Sequence, residues 1–137
     1  GAGGATVGPD ASRPPVPAAV PPALAHFAER HRERVAAWAE RLAAHAEAGH
    51  RVVLWGSGGK GIGFLNGVPG AEAIRAVIDI NPDRQGRFVP GTGHPIVSPA
   101  AAREIDPDVA ILTNTLYEPE IRAQAADLGL ACAFEAA

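Results

Sequence analysis

The feature that most constrains the fold is an alternation of short apolar runs with helical segments. It is clearest at residues 52–64, VVLWGSGGKGIGF, where four apolar residues run straight into a glycine-rich turn and a helix begins after it. Further apolar or β-branched runs, each predicted to contain a strand, follow at 74–80, 94–99, 108–114 and 130–135. The segments between them that fit helices are 61–68, 99–104 and 118–129.

This alternation predicts a small α/β domain. Strands that are buried on both faces are continuous apolar runs, and helices between them impose right-handed crossovers and parallel strands. We therefore expect a doubly wound, Rossmann-like parallel sheet of about five strands. In such a sheet, ordered 3-2-1-4-5, the loops after the first and fourth strands border the crevice where ligands bind.

A long amphipathic helix is predicted ahead of the sheet. Between Leu24 and Ala46 apolar residues recur every three or four positions with charged residues among them, Pro22 precedes the segment and Gly49 follows it. We interpret this helix as a cover for the domain's own sheet. The alternative is a helix that binds a partner through the face carrying Trp38.

The chain is interpreted as one domain with an N-terminal tail. Residues 1–22 are rich in Gly, Pro and Ala and are predicted to form a linker or tail, whereas residues 23–137 form the domain. The sequence begins with glycine and contains no methionine. We therefore interpret it as a processed chain or a piece of a longer protein.

Composition argues against several classes of partner. A net charge of -3 does not favour nucleic-acid binding. Because Cys132 is the single cysteine, neither a disulfide framework nor a cysteine metal cluster is expected within the chain, and a reducing, cytoplasmic setting is the default. No apolar run approaches the roughly 20 residues of a membrane span. We expect no nucleic-acid partner, no membrane partner and no metal site.

The glycine-rich turn is the best candidate for a binding site. Gly56, Gly58 and Gly61 satisfy G-x-G-x-x-G, a pattern that allows a tight turn, close approach of a ligand and close packing of helix on strand. Gly59 and Lys60, the only lysine, lie between them, where the N-terminus of a helix favours an anion. The turn therefore predicts a phosphate or nucleotide site. The alternative is a purely structural turn beside an empty crevice.

Residues from two other strand ends complete the candidate site. Asp79 follows the next strand, where an acid in dinucleotide-binding sheets contacts a ribose hydroxyl, which leaves an NAD(P)-binding module open. Asn114 and Tyr117 follow the fourth strand and are expected to face Lys60 across the crevice. Their alternative role is in turn formation and helix capping.

The segment 79–99 contains a loop of about 14 residues, which is long for so small a domain, and long loops are often functional. His94 is a candidate for ligand contact, because histidine side chains commonly serve in binding and proton transfer. Because it lies between Gly93 and Pro95, a structural role in the turn is the alternative.

Three stretches together resemble the C-terminal domain of the S-adenosylmethionine-dependent C-methyltransferases that act on nucleotide-linked deoxysugars and related substrates. They are VVLWGSGGKGIGFLN, VIDINPDRQGRFVPGTGHPIVSP and PDVAILTNTLYEPEI, and the resemblance covers about residues 24–134. Gly56 to Gly61, with Lys60, and also Asp79 and Asn81 match motif positions of that family. Arg84 departs from it, because many members have lysine there.

The resemblance implies that a whole enzyme carries a zinc motif and a central domain that binds S-adenosylmethionine. It implies that this domain closes over the active site and helps hold a nucleotide sugar, while the catalytic residues lie in the central domain. We therefore expect a substrate-binding or lid domain with no catalytic residue and no cofactor of its own, working with a methyltransferase core in cis or in trans. The alternatives are an oxidoreductase module that binds a dinucleotide and a purely structural or interaction domain.

Overall fold

The computed structural model describes residues 21–137, so the predicted tail lies outside the described residues as far as residue 20. The described chain contains a five-stranded sheet in which every pairing is parallel, in the order β3-β2-β1-β4-β5. Its strands are β1 (Val52–Trp55), β2 (Val77–Ile78), β3 (Ile96–Val97), β4 (Val109–Leu112) and β5 (Ala133–Ala136). The α/β class and the parallel sheet predicted from the sequence are confirmed, and the strand order is the expected 3-2-1-4-5.

Four α-helices connect or precede the strands. They are α1 (Pro22–Glu47), α2 (Gly59–Gly67), α3 (Ala102–Ile105) and α4 (Glu118–Asp127), with short 3-10 helices at Ala71–Ala73 and Thr115–Tyr117. The long N-terminal helix is confirmed. A left-handed glycine, Gly49 with φ 73°, follows it, because only glycine adopts this conformation without strain.

Helix α1 crosses the boundary between two compact units, one reaching His31 and the other formed by Arg32–Ala137. In the first unit, Leu24 and Phe27 are exposed. In the second unit, Leu42 is buried and Trp38 packs beside it, as expected for a helix that covers the sheet.

The core of the second unit has two halves, one on each face of the sheet. Val52, Leu54 and Ile111 turn to the face covered by α2 and the second half of α1, where the Trp38 and Phe64 rings meet edge to face at 5.3 Å. Val53, Trp55 and Leu112 turn to the face of α3 and α4. Alternate strand residues thus serve opposite faces, which explains why these strands are apolar throughout.

Strands β2 and β3 are shorter than the apolar runs that predicted them. Residues 74–80 predicted one strand, but Ile74 still caps the 3-10 helix, and only Val77 and Ile78 pair. Strand β2 therefore ends at Ile78, before the end of the apolar run. The side chain of Asp79, the next residue, bonds to the turn after β1.

No helix within residues 21–137 has the length and apolar character needed to cross a bilayer. Within the same residues, no group of three or more His, Cys, Asp or Glu side chains is arranged to hold a metal ion.

Candidate functional site

A cavity of about 320 Å³ opens at the carboxyl edge of the sheet, between the turn after β1 and the loop after β4. It lies at the switch point of the sheet, where the connections that follow the neighbouring strands β1 and β4 lead to opposite sides of the sheet order. The candidate residues that line it are Gly56, Gly58, Gly59, Lys60, Gly61, Asp79, Asn114 and Tyr117.

Two of the glycines in the turn are required by the fold. Gly56 has φ 106°, which a residue with a side chain rarely adopts. At Gly61 an added Cβ would overlap the carbonyl oxygen of Gly56 and press on Leu54. The close approach of helix α2 to the end of β1 therefore depends on the missing side chain at Gly61.

Gly58 and Gly59 are different, because nothing in the fold requires them. Gly58 has φ -72°, and a Cβ added at either position would have no atom within 4 Å. The space that two side chains would fill is open instead. These positions leave the backbone accessible to a ligand.

The start of helix α2 presents unpaired backbone donors to this space. Gly58 is the N-cap and provides no side-chain cap. Among residues 21–137, the N–H groups of Gly58, Gly59 and Lys60 donate to no protein acceptor, and all three residues are exposed. Free N–H groups at a helix N-terminus carry partial positive charge and bind anions. Lys60, which carries a positive charge, is exposed and lines the same cavity.

Asp79 is buried, with 8% exposure, and is bonded to the turn. The backbone N–H of Ser57 donates to its Oδ2 at 3.1 Å, and the Ser57 hydroxyl donates to the same oxygen. The N–H of Asn81 donates to Oδ1 at 2.9 Å, and Arg84 Nη1 lies 3.6 Å from Oδ2. Both carboxylate oxygens therefore already have partners in the protein.

The protonation of Asp79 follows from these contacts. Burial by itself would raise the pKa of Asp79, but the hydrogen bonds from Ser57 and Asn81 and the positive charge of Arg84 outweigh it, so the pKa lies below its usual value. Asp79 is a carboxylate at neutral pH and accepts every bond described.

Asn114 and Tyr117 lie across the cavity from the turn. Asn114 Oδ1 accepts from the N–H of Leu116 at 3.1 Å and so caps the 3-10 helix Thr115–Tyr117. This is the structural role that the sequence left open, and it holds the residue at the edge of the cavity. Tyr117 immediately precedes α4 and is 56% exposed.

His94 and Asn81 do not line this cavity. His94 is buried, with Nε2 2.9 Å from the carbonyl oxygen of Ala71 and Nδ1 2.7 Å from the Thr92 hydroxyl. Since a carbonyl only accepts, Nε2 donates to Ala71, and Nδ1 is paired with the Thr92 hydroxyl. His94 thus ties its loop to the 3-10 helix at Ala71. This geometry matches the structural alternative and leaves neither ring nitrogen free for a ligand.

Asn81 forms a turn instead of facing the cavity. Its Oδ1 accepts from the N–H of Asp83 at 3.0 Å, and its side chain is exposed. This bond two residues along the chain is the usual Asx-turn arrangement. Its link to the site is its N–H, which donates to Asp79.

Sequence reasoning missed four residues that line the cavity: Trp55, Ser57, Thr113 and Ile121. The position of Ser57 between the first two glycines of the motif could have indicated that it belongs to the site. For Trp55 the sequence indicated only a strand residue, yet its buried Nε1 has no hydrogen-bond partner within the described residues.

A larger groove of about 760 Å³ continues from the cavity along helix α4. The two share Trp55, Gly56, Asp79, Tyr117 and Ile121. Farther along, the exposed Ile80 lines the groove together with Glu120, Gln124 and Asp127. A cavity that contains Lys60 and Asp79 therefore leads into a mainly apolar groove with an acidic margin.

A doubly wound sheet with a glycine turn, free helix-terminal donors and a lysine at its carboxyl edge has the architecture of the Rossmann-like binding domains. Residues 20–131 match the family model described as the C-methyltransferase C-terminal domain, and the chain belongs to that family. No curated protein matches the chain.

Proposed function

We propose that this domain binds a phosphate-bearing substrate, a nucleotide-linked sugar or a related small molecule, for a C-methyltransferase core in the same polypeptide. The observation that carries the proposal is that Gly58, Gly59 and Lys60 line one cavity while their N–H groups have no acceptor among residues 21–137. These groups match the charge and the acceptor oxygens of a diphosphate. The role is to bind and position the substrate, and the domain is not catalytic by itself.

The size of the site supports a substrate larger than a phosphate ion. The cavity of about 320 Å³ suits a phosphate group and part of a sugar, and the groove of about 760 Å³ has room for the rest. Tyr117 borders both and offers a ring on which a sugar or a base can pack. S-adenosylmethionine belongs to the core in this proposal. A cytoplasmic location is also part of it and rests on the free Cys132.

The main alternative is a dinucleotide-binding module of an oxidoreductase. That function uses an acid at the end of the second strand to accept hydrogen bonds from ribose. Here Asp79 accepts from Ser57 and Asn81 instead. The geometry therefore favours phosphate binding over recognition of an NAD ribose.

The test is an NMR titration of ¹⁵N-labelled chain with dTDP-glucose, and with NAD in parallel. We expect saturable shifts at Gly58, Lys60 and Asn114 with dTDP-glucose. Lys60→Ala should weaken binding by about tenfold to a hundredfold, because a charge-assisted hydrogen bond contributes about 1.5–3 kcal/mol.

The control is Arg103→Ala, which makes the same change in net charge on helix α3, at a residue that lines neither the cavity nor the groove. It should bind like the unmodified chain. An absence of shifts at millimolar dTDP-glucose, or equal losses for the two variants, would contradict the proposal, and saturable binding of NAD alone would support the oxidoreductase alternative.

A further inference from the structure

The cavity contains a feature that charge alone does not explain. Asp79 is a buried carboxylate in the lining of a cavity whose other charged residue, Lys60, is positive. A negative charge at that position weakens the attraction for a phosphate. The arrangement therefore needs a second reason for the acid to be there.

The geometry points to Asp79 as a positioning residue that acts through Ser57: it fixes the glycine turn so that the N–H groups of Gly58, Gly59 and Lys60 face the cavity. This inference rests on the proposed function, since it concerns how the same site is kept ready for a phosphate. It gives Asp79 a role other than the contact with ribose that its sequence position suggests.

The flexibility of the turn is the first reason. Gly58 and Gly59 have no side chain, and on the helix side they are held by backbone hydrogen bonds such as the one from the Ile62 N–H to the carbonyl of Gly58 at 3.0 Å. Glycine loses more conformational freedom on ordering than any other residue, so such a turn is costly to hold in one conformation. The turn therefore needs a second attachment, on the strand side, if its donors are to point the same way before a ligand arrives.

Ser57 provides that restriction. It is 4% exposed and donates to Asp79 Oδ2 through both its N–H and its hydroxyl, so one residue is held at two points. The N–H of Gly56 donates to the carbonyl of Ile78 at 2.7 Å. The turn after β1 is therefore fastened to the end of β2 just ahead of the free donors.

Arg84 limits the electrostatic cost of placing an acid here. Its Nη1 lies 3.6 Å from Asp79 Oδ2 and donates to the Ser57 hydroxyl oxygen at 3.2 Å. The bond from Arg84 directs the hydroxyl proton toward Asp79, and the guanidinium offsets the carboxylate charge. Lys60 remains available to a phosphate.

The sign of one mutational effect separates positioning from charge. If Asp79 acts only through its charge, Asp79→Asn removes a negative group and tightens binding of inorganic pyrophosphate. If Asp79 positions the turn, the same change weakens binding, and we expect a loss of about fivefold or more by NMR titration at fixed ionic strength. Ser57→Ala should lose about threefold, and Ser57→Thr, which keeps the hydroxyl, should recover most of it.

A second measurement follows the contact without any ligand. In the unmodified chain the NMR chemical shifts of the Ser57 and Asn81 amide protons should change together with pH as Asp79 is protonated. The midpoint of this change should lie below the ordinary pKa of an aspartate side chain. In Asp79→Asn this titration should be absent. Ser57→Ala removes only the hydroxyl, with the bond it donates to Asp79 and the bond it accepts from Arg84, and gives the affinity result if Asp79→Asn does not fold.

The outcomes are distinguishable. If the unmodified chain binds pyrophosphate and Asp79→Asn binds it equally or more tightly, the inference is overturned and the proposed function stands. If the unmodified chain shows no shifts at Gly58, Gly59 or Lys60, both are overturned. Weaker binding in Asp79→Asn and Ser57→Ala, with recovery in Ser57→Thr, supports the inference.

Discussion

The two edges of the sheet use polar groups in opposite ways. At the amino edge, the N–H of Arg51 ahead of β1 donates to Asp108 Oδ2 ahead of β4 at 2.7 Å, and the guanidinium lies 3.4 Å from both Asp106 and Asp108. At the carboxyl edge, the donors of Gly58 and Lys60 have no partner in the described chain. The amino edge pairs these groups within the protein, although the buried Arg51 Nε has no hydrogen bond within residues 21–137, and the carboxyl edge leaves donors available to the proposed ligand.

The difference teaches where to look for function in such a sheet. Both edges carry charged residues, so charge by itself does not distinguish them. The distinguishing feature is whether the donors and acceptors are already satisfied within the protein. Asp79 and Ser57 belong to the open edge, but they are bonded to each other, and this bonding keeps their neighbours available.

The largest expected effect concerns the packing that builds the open edge. Gly61→Ala places a Cβ against the backbone of Gly56 and should lower the free energy of unfolding by about 3 kcal/mol, since overpacking against backbone cannot be relieved by a rotamer change. Gly63→Ala is the matched control on the same helix, with no atom near its added Cβ, and should stabilise by about 0.5–1 kcal/mol. Urea denaturation of both variants measures this, and equal effects would show that the close approach is unimportant.

The next effect is the pH dependence of the open edge. Because the pKa of Asp79 is lower in the folded chain than its ordinary value of 3.8, its contribution to stability is present above that value and is lost as the pH falls through the folded pKa. Asp79→Asn should cost about 2 kcal/mol at pH 7, the range for hydrogen bonds to a charged group. Urea denaturation between pH 7 and pH 3 should show the two chains converging below pH 4. A constant difference over this range would contradict the assignment.

A smaller effect is expected for the ring that joins cavity and groove. Tyr117→Ala should weaken dTDP-glucose binding about fivefold, near 1 kcal/mol, by removing a stacking surface, without lowering the free energy of unfolding. Leu116→Ala is the control, because Leu116 is 73% exposed and lines neither cavity nor groove. Calorimetric titration of both variants distinguishes them, and equal losses would place the ligand elsewhere.

The smallest effect tests the closed edge. The backbone hydrogen bond from Arg51 is the main cause of a lowered pKa at Asp108, followed by the opposing effect of burial and the charge of Arg51. Asp108→Asn should therefore reduce stability slightly above pH 4 and leave dTDP-glucose affinity unchanged. A change in affinity would mean that the two edges are coupled, and the comparison between them would fail.

Much of this molecule follows from local sequence patterns. The turn glycines Gly56 and Gly61 were assigned their structural roles from spacing alone, because a tight strand-to-helix turn imposes the same requirements on any chain. The α/β class followed from the alternation of apolar runs and helices. The ends of strands β2 and β3 could not be predicted from the sequence, because a strand stops where its pairing with a neighbouring strand stops, and the apolar run extends beyond that point.

The sequence by itself determined the parallel sheet, the long first helix and the position of a glycine turn facing the crevice, since these depend on residues near one another in the chain. Only the tertiary structure decided that Asp79 bonds to Ser57, 22 residues away, and that His94 bonds to Ala71, 23 residues away. Hydrogen bonds between distant segments depend on distances of a few ångströms that the fold sets. A sequence pattern shows which groups are present, and the folded chain decides which of them remain free.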